Sequence, residues 1–227
     1  MSQIELKEVI KEYQMGESIV KALDGVDLEI EQGDFAAIMG PSGSGKSTLM
    51  NMVGALDTPT TGTVNFDQDD ISKLSQNQLA VLRGEKVGFI FQEFNLIPTM
   101  TAEENVELPM LLRGKSKKAR RKRSSELLEE VGLGNRKKHY PNELSGGQRQ
   151  RVSIARALAN NPKVVLADEP TGNLDSETGE NVLELLQRLN EEEGKTIIMV
   201  THDEHDASYA DYIINIKDGK IDNSDDE

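Results

Sequence analysis

The chain has 227 residues, 36% hydrophobic and 29% charged, and 40 Asp and Glu against 26 Lys and Arg give a net charge of −14. Length and apolar content suit one α/β domain with a real core and exclude a disordered chain. There is no cysteine, which excludes disulfides, thiolate metal sites and cysteine nucleophiles. No apolar run approaches the roughly 18–20 residues of a membrane-spanning helix. Residues 1–13 lack the basic and apolar regions of a secretory signal, so the sequence reads as soluble and intracellular.

Helix-like and strand-like patterns alternate along the chain, as in an α/β architecture. Val26–Ile30 alternates apolar with acidic residues, the pattern of a half-exposed strand. Phe35–Met39 is a short apolar run ending in a glycine-rich turn, and Lys46–Leu56 then reads as a helix. Thr63–Phe66 and Val87–Phe91 have strand character. Between Thr101 and Val131 the spacing of Val106, Leu108, Leu111, Leu112, Leu127, Leu128 and Val131 predicts two or more helices joined around Gly114. Gln148–Ala159 is a predicted helix that Asn160, Asn161 and Pro162 stop. Val164–Ala167 and Ile197–Val200 are fully apolar, as strands buried on both faces are. Val182–Leu189 reads as helix, Tyr212–Ile216 alternates, and the acidic tail 222–227 is expected to fray. Residues 93–159 look like a helical insertion into a core formed by about 1–92 and 160–220.

The charge is uneven. Residues 113–138 hold 11 of the 26 basic residues and three acids, Glu126, Glu129 and Glu130. The run RGKSKKARRKR at 113–123 has two readings, a nucleic-acid patch or a solvated helix face screened by flanking acids. No aromatic residue interleaves with it and the remaining surface is acidic, which favours the solvated face and no nucleic-acid partner.

Gly40-Pro-Ser42-Gly43-Ser44-Gly45-Lys46-Ser47 matches G-x-x-x-x-G-K-S/T, between a predicted strand and a predicted helix. Glycines there let backbone N–H groups turn inward on a phosphate, and the helix start adds its positive dipole end. Lys46 supplies a charge for the β- and γ-phosphates, and Ser47 a hydroxyl for Mg²⁺. Val164-Val165-Leu166-Ala167-Asp168-Glu169 puts two carboxylates at the end of a buried strand, where parallel sheets hold their ligands. Asp168 suits the Mg²⁺ shell, and Glu169 suits a base that takes a proton from water. Leu144-Ser145-Gly146-Gly147-Gln148 opens a helix and reads equally as an anion site or as an ordinary N-cap.

Taken together, these motifs resemble the ATP-binding cassette (ABC) ATPases over essentially the full chain, with LSGGQ as that family's signature. The resemblance implies a P-loop NTPase core with a mixed sheet, an N-terminal antiparallel β subdomain and an inserted helical signature subdomain. Gln92 then corresponds to the Q-loop glutamine and a Mg²⁺ ligand, and Asp175 in Gly172-Asn173-Leu174-Asp175 to the D-loop. His202 corresponds to the switch histidine and Tyr13 to the aromatic that stacks on adenine; His139 and His205 match nothing in the family. Backbone amides of 43–48, Thr48 included, would cradle the phosphates, with Lys46, Glu169 and His202 as catalytic groups. In the family, nucleotide is held between the P-loop of one chain and Ser145–Gln148 of another, which implies a head-to-tail homodimer on ATP.

The stretches YQMGESIVKALDGVDLEI and FNLIPTMTAEENVELPMLLRG look most like macrolide-export and lipoprotein-release ATPases. That likeness implies a cytoplasmic chain, peripheral to the membrane through a permease partner. Two other classes stand beside it. A DNA-repair or translation ABC protein would need coiled-coil insertions or a second cassette, for which 227 residues leave no room. A non-transporting regulator of a cell-envelope or division machine, acting through a similar permease, fits the same motifs.

Overall fold

The computed structural model describes residues 2–222, so the predicted acidic tail lies, apart from Asp222, outside the described residues. In chain order the elements are β1 (Ser2–Met15), β2 (Ser18–Glu31), β3 (Phe35–Met39), α1 (Lys46–Val53), β4 (Thr61–Phe66), β5 (Asp69–Asp70) and α2 (Gln76–Lys86). There follow β6 (Val87–Phe91), α3 (Ala102–Leu112), α4 (Lys117–Glu130), α5 (Gly146–Ala157) and β7 (Val164–Asp168). The chain closes with α6 (Ser176–Glu191), β8 (Thr196–Val200), α7 (Glu204–Ala207), β9 (Tyr212–Lys217) and β10 (Lys220–Ile221). Two compact units divide it, one being Gly84–Lys195 and the other the chain on either side of that segment.

In the unit formed by the two ends of the chain, β1 and β2 make a long antiparallel hairpin, and β4 and β5 extend it in the order β2-β1-β4-β5. Ile4, Leu6, Val9, Leu23, Val26, Ile30, Val64 and Phe66 bury one face of this sheet. β3 lies between two parallel neighbours, β8 and β9, and β10 pairs antiparallel with β9. β3 and β8 are buried almost end to end, as expected of strands covered on both faces. β1 is absent from the sequence-based expectation for a physical reason. Its alternation breaks at a register shift between Leu6 and Val9, where Glu8 takes φ +48° and donates its N–H to the Asp27 carboxylate at 2.8 Å.

In the unit Gly84–Lys195, β6 and β7 pair in parallel, with Phe91 opposite Asp168. The two helices expected around Gly114 are α3 and α4. Thr101 caps α3 through a reciprocal capping box with Glu104, and Ser116 caps α4. Several helix ends differ from the pattern-based expectation. α1 stops at Val53 rather than Leu56, because Gly54 caps it and Ala55 turns to φ +51°. α5 covers Gly146–Ala157 instead of Gln148–Ala159, since Ser145 starts it two residues early. α6 begins at Ser176, capped by Asp175, well before the apolar stripe that starts at Val182.

Residues 117–123 of the basic run form the first half of α4, and acids flank them. Arg120 and Arg121 both reach Glu107 of α3, at 3.2 and 4.0 Å. Lys122 lies 3.9 Å from Glu126, Arg123 3.7 Å from Glu130, and Arg113 pairs with Glu85. The exposed pairs add little stability, but with the half-buried Arg120–Glu107 pair they neutralise part of the field that a polyanion would feel. In a fluorescence-anisotropy titration at low salt we expect no micromolar binding to DNA or RNA. Micromolar binding that disappears when residues 113–123 are neutralised would show that the run binds phosphates.

Candidate nucleotide-binding and catalytic site

Parallel register decides which loops carry the candidate groups. Ile38 of β3 pairs with Val200 of β8, so the two strands end together. β3 runs directly into the loop 40–45, and β8 into Thr201 and His202. Thr201 is buried and its N–H donates to the Ile38 carbonyl at 3.2 Å, which ties the His202 segment to the strand that feeds the phosphate loop. His202 itself is exposed, and Asp203 after it caps α7 through the His205 N–H.

The phosphate loop ends at Gly45, the N-cap of α1, with φ +109°. A side chain there would be strained, and its Cβ would lie 2.6 Å from the Ala22 carbonyl oxygen, so only glycine fits. The Lys46 ammonium donates to the carbonyls of Gly40 and Pro41, at 2.7 and 2.9 Å, and lies across the loop. Ser47 is exposed and Thr48 half-buried. Ser44 Oγ is buried without a hydrogen-bond partner, and its backbone is held by Pro41 and Gly219. A glycine cradle at a helix start, an ammonium and an orphaned hydroxyl together fit a phosphate group. Tyr13, near the end of β1, is half-buried, and its hydroxyl donates to Asp57 at 3.1 Å.

The second set of candidates lies in the unit Gly84–Lys195. With Phe91 opposite Asp168, the next residues along β6 and β7, Gln92 and Glu169, leave the parallel pair side by side. Asp168 and Glu169 are both half-buried. Glu169 has φ +43°, a left-handed backbone that costs a non-glycine residue about 1–3 kcal/mol and persists only where neighbours hold it. Two hydrogen bonds do so. The Gly172 N–H donates to the Glu169 carbonyl at 3.1 Å, and the buried Gln150 amide of α5 donates to the Pro170 carbonyl at 2.6 Å. Asn173 adds a bond to the Gln92 carbonyl at 2.9 Å, so the segment 169–173 is tied to the Gln92 turn as well.

Ser145 is the N-cap of α5. Its hydroxyl accepts the Gln148 N–H at 3.3 Å, and the Gln148 side chain accepts the Ser145 N–H at 3.1 Å. The capping role read from the sequence is therefore present, and it satisfies two N–H groups at the start of the helix. The glycines after it face the segment 173–178. A Cβ on Gly146 would meet Leu174 at 3.4 Å, and one on Gly147 would collide with the Thr178 methyl. Asp175 caps α6 through the Thr178 N–H at 3.0 Å and accepts the Thr178 hydroxyl at 2.8 Å. Those two bonds, the N–H first, hold the Asp175 carboxyl below the usual carboxylate range.

Residues 23–172 match the family described as ABC transporter. The chain belongs to the ABC transporter ATP-binding family. It is 54% identical over 222 residues to an uncharacterized ABC transporter ATP-binding protein of Methanocaldococcus jannaschii, MJ0796, spanning 96% of this chain and 94% of that one. It is also 54% identical over 221 residues to the macrolide export ATP-binding/permease protein MacB of Mannheimia succiniciproducens, of which it spans 34%. Among solved structures, the dimeric post-hydrolysis state of the MJ0796 cassette bound to ADP and Pi has a TM-score of 0.89 and 52% identity, over 96% of each chain. The chain is thus an ABC transporter ATP-binding domain with MacB-type proteins among its relatives.

Gln150 and Thr178 escaped the sequence reading, although both act on candidate loops. Gln150 stands two residues beyond the signature, and no pattern marks it as a support for Pro170. Thr178 is at the third position of a helix whose cap was itself unrecognised. The Thr178 contact makes a stability prediction that is independent of nucleotide. Overpacking at Gly147→Ala costs about 1–3 kcal/mol, against about 1 kcal/mol gained by alanine over glycine in a helix. We expect the single variant to unfold at lower urea, and the double variant with Thr178→Ser, which drops the methyl and keeps the hydroxyl, to recover. A Gly147→Ala cassette with a raised midpoint would contradict the contact.

Proposed function

We propose that this chain hydrolyses ATP as the nucleotide-binding subunit of an ABC transporter, closing head to tail on ATP to drive a membrane permease of the macrolide-export type. The phosphate loop carries the reading: a glycine only Gly45 can supply, Lys46 lying over the loop and the buried Ser44 hydroxyl without a protein partner. The dimeric MJ0796 cassette and the fused ATP-binding/permease architecture of MacB support the two partners. Helices α3 to α5, within 93–159, serve in this reading as the arm that faces the permease, and the chain works at the cytoplasmic face of the membrane. Among the described residues no helix is long and apolar enough to cross a membrane, so the membrane connection runs through another chain or segment.

Hydrolysis here is in-line attack of water on the γ-phosphorus, and the residues supply position, charge and a base. Backbone N–H groups of 43–48 hold the phosphates, with Gly40, Ser42 and Gly43 shaping the loop. Lys46 neutralises charge on the β- and γ-oxygens. In this reading Ser47, Gln92 and Asp168 would hold Mg²⁺ through hydroxyl, amide and carboxylate oxygens, the hard donors that ion prefers. Mg²⁺, when bound, supplies further neutralisation of the phosphate oxygens. Glu169 takes the proton of the attacking water, His202 hydrogen-bonds the γ-phosphate, and Tyr13 stacks on the adenine. The P–O bond to ADP then breaks and phosphate leaves.

The signature turn of the partner chain, Ser145 to Gln148, and the D-loop Asp175 complete the second side of each nucleotide in this account. Because the signature donors address the γ-phosphate, ATP binds the closed dimer better than ADP does. That difference in affinity is what allows hydrolysis to reopen it. Glu169→Gln keeps the shape of the side chain but cannot take the proton, and loss of a general base costs about 10²–10⁴-fold in rate. On size exclusion with Mg-ATP we expect Glu169→Gln to elute as a dimer, and Lys46→Ala to remain a monomer without bound nucleotide. A Glu169→Gln cassette with near wild-type turnover would remove Glu169 as the base, and one that holds ATP as a monomer would argue against closure.

A further inference from the structure

The strand that carries Tyr13 also carries Lys11, and the pairing register with β2 shifts between Lys11 and Glu12. Bulges of this kind re-aim side chains. Here the Lys11 ammonium stands over the Tyr13 ring, 5.0 Å from its centroid. The same ammonium lies 2.7 Å from Asp57 Oδ2 and donates to the Thr58 carbonyl at 2.8 Å, and its side chain is only 11% exposed. Asp57 Oδ2 also accepts the Tyr13 hydroxyl at 3.1 Å, while Oδ1 accepts the Thr58 N–H at 2.8 Å. Burial pushes the Asp57 carboxyl up, but Lys11, the Thr58 N–H and Tyr13 together outweigh it and hold it below its usual range.

This cluster is anchored to the far end of α1, the helix that the phosphate loop opens, and touches its start. Near the start, the Thr48 side chain neighbours the Tyr13 hydroxyl and opposes the rise in pKa that burial and Asp57 give it. At the far end, the N–H groups of Leu56 and Asp57 fold back onto the Asn51 carbonyl, at 2.9 and 3.3 Å. The segment 57–60 is stapled to β1 as well: the Thr60 N–H donates to the Ile10 carbonyl at 2.8 Å, and the Glu12 N–H to the Thr60 hydroxyl at 3.0 Å. An aromatic ring held in this way has a fixed offset from the loop that takes phosphate. With one ring face covered by an ammonium, a base has a single face on which to stack.

We propose that Lys11 and Asp57 are positioning residues that clamp the Tyr13 ring to the phosphate-loop helix and thereby set the affinity for the base of the nucleotide. The proposal rests on the reading of Tyr13 as the base platform and adds two residues that the known motifs do not include. They touch the ring and not the ligand, so their effect must depend on a base being present.

Calorimetric titration with ADP and with inorganic pyrophosphate separates the base from the phosphates. Tyr13→Ala is expected to weaken ADP about ten- to hundredfold, the worth of one base–aromatic stack. Lys11→Met and Asp57→Asn are each expected to weaken ADP about three- to tenfold, as a loosened ring loses part of that stack. Pyrophosphate affinity should hold in all three, and Lys11→Arg should restore most of the ADP affinity. If Tyr13→Ala loses ADP while Lys11→Met and Asp57→Asn do not, the clamp is wrong and the platform stands. If Tyr13→Ala leaves the preference for ADP over pyrophosphate intact, the platform reading fails and the clamp fails with it. If Lys11→Met weakens ADP and pyrophosphate equally, the cluster is a general staple of the fold and the proposal is overturned.

Discussion

Parallel pairing in fixed register is the constraint on which the placement of chemistry depends. Within one unit, Ile38 opposite Val200 brings the phosphate loop and the Thr201–His202 turn off the same edge. Within the other, Phe91 opposite Asp168 does the same for Gln92 and Glu169. These strands are almost wholly buried, so a slip of one residue would exchange the faces of every side chain and misplace the loops at once. The apolar core thus sets where a carboxylate, an amide or an imidazole can emerge, before any of them meets a ligand.

The loops themselves are held by specific polar contacts. Glu169 sits in a left-handed conformation that its neighbours must sustain, and the Gln150–Pro170 bond makes the signature helix one of those neighbours. Through Thr178 and Asp175 the same helix leans on the segment that begins α6. A displacement of α5 would therefore reach the carboxylate end of β7 by a direct bond, and the D-loop by direct packing. Under the proposed function, in which the signature turn answers to the γ-phosphate of a partner chain, this would be a short physical path between closure and Glu169.

Motifs that depend on local backbone chemistry were legible in the sequence. The glycine-rich turn between a strand and a helix at 40–45, the strand Phe35–Met39 and the pair of helices around Gly114 stand where residue patterns put them, and the strands expected at Val164–Ala167 and Ile197–Val200 are each one residue longer. What was illegible depends on contacts between distant residues or on broken periodicity. β1 was missed because a bulge at Glu8 interrupts its alternation, and with it went the Lys11 contact to Tyr13. Asp57 carries no local signal at all, since its importance arises only when the chain after α1 folds back on β1. α6 begins six residues before its apolar stripe because Asp175 caps a first turn of polar residues, Ser176 to Thr178.

In the proposed function each ATP is held by the phosphate loop of one chain and the signature turn of another. Mixing two inactive variants tests it directly. Lys46→Ala keeps an intact signature turn, and Ser145→Arg keeps an intact phosphate loop, so a head-to-tail pair of the two contains one complete site. Each variant alone is expected to lack ATPase activity, and the mixture to regain it. A mixture no more active than its separate components would contradict the shared site.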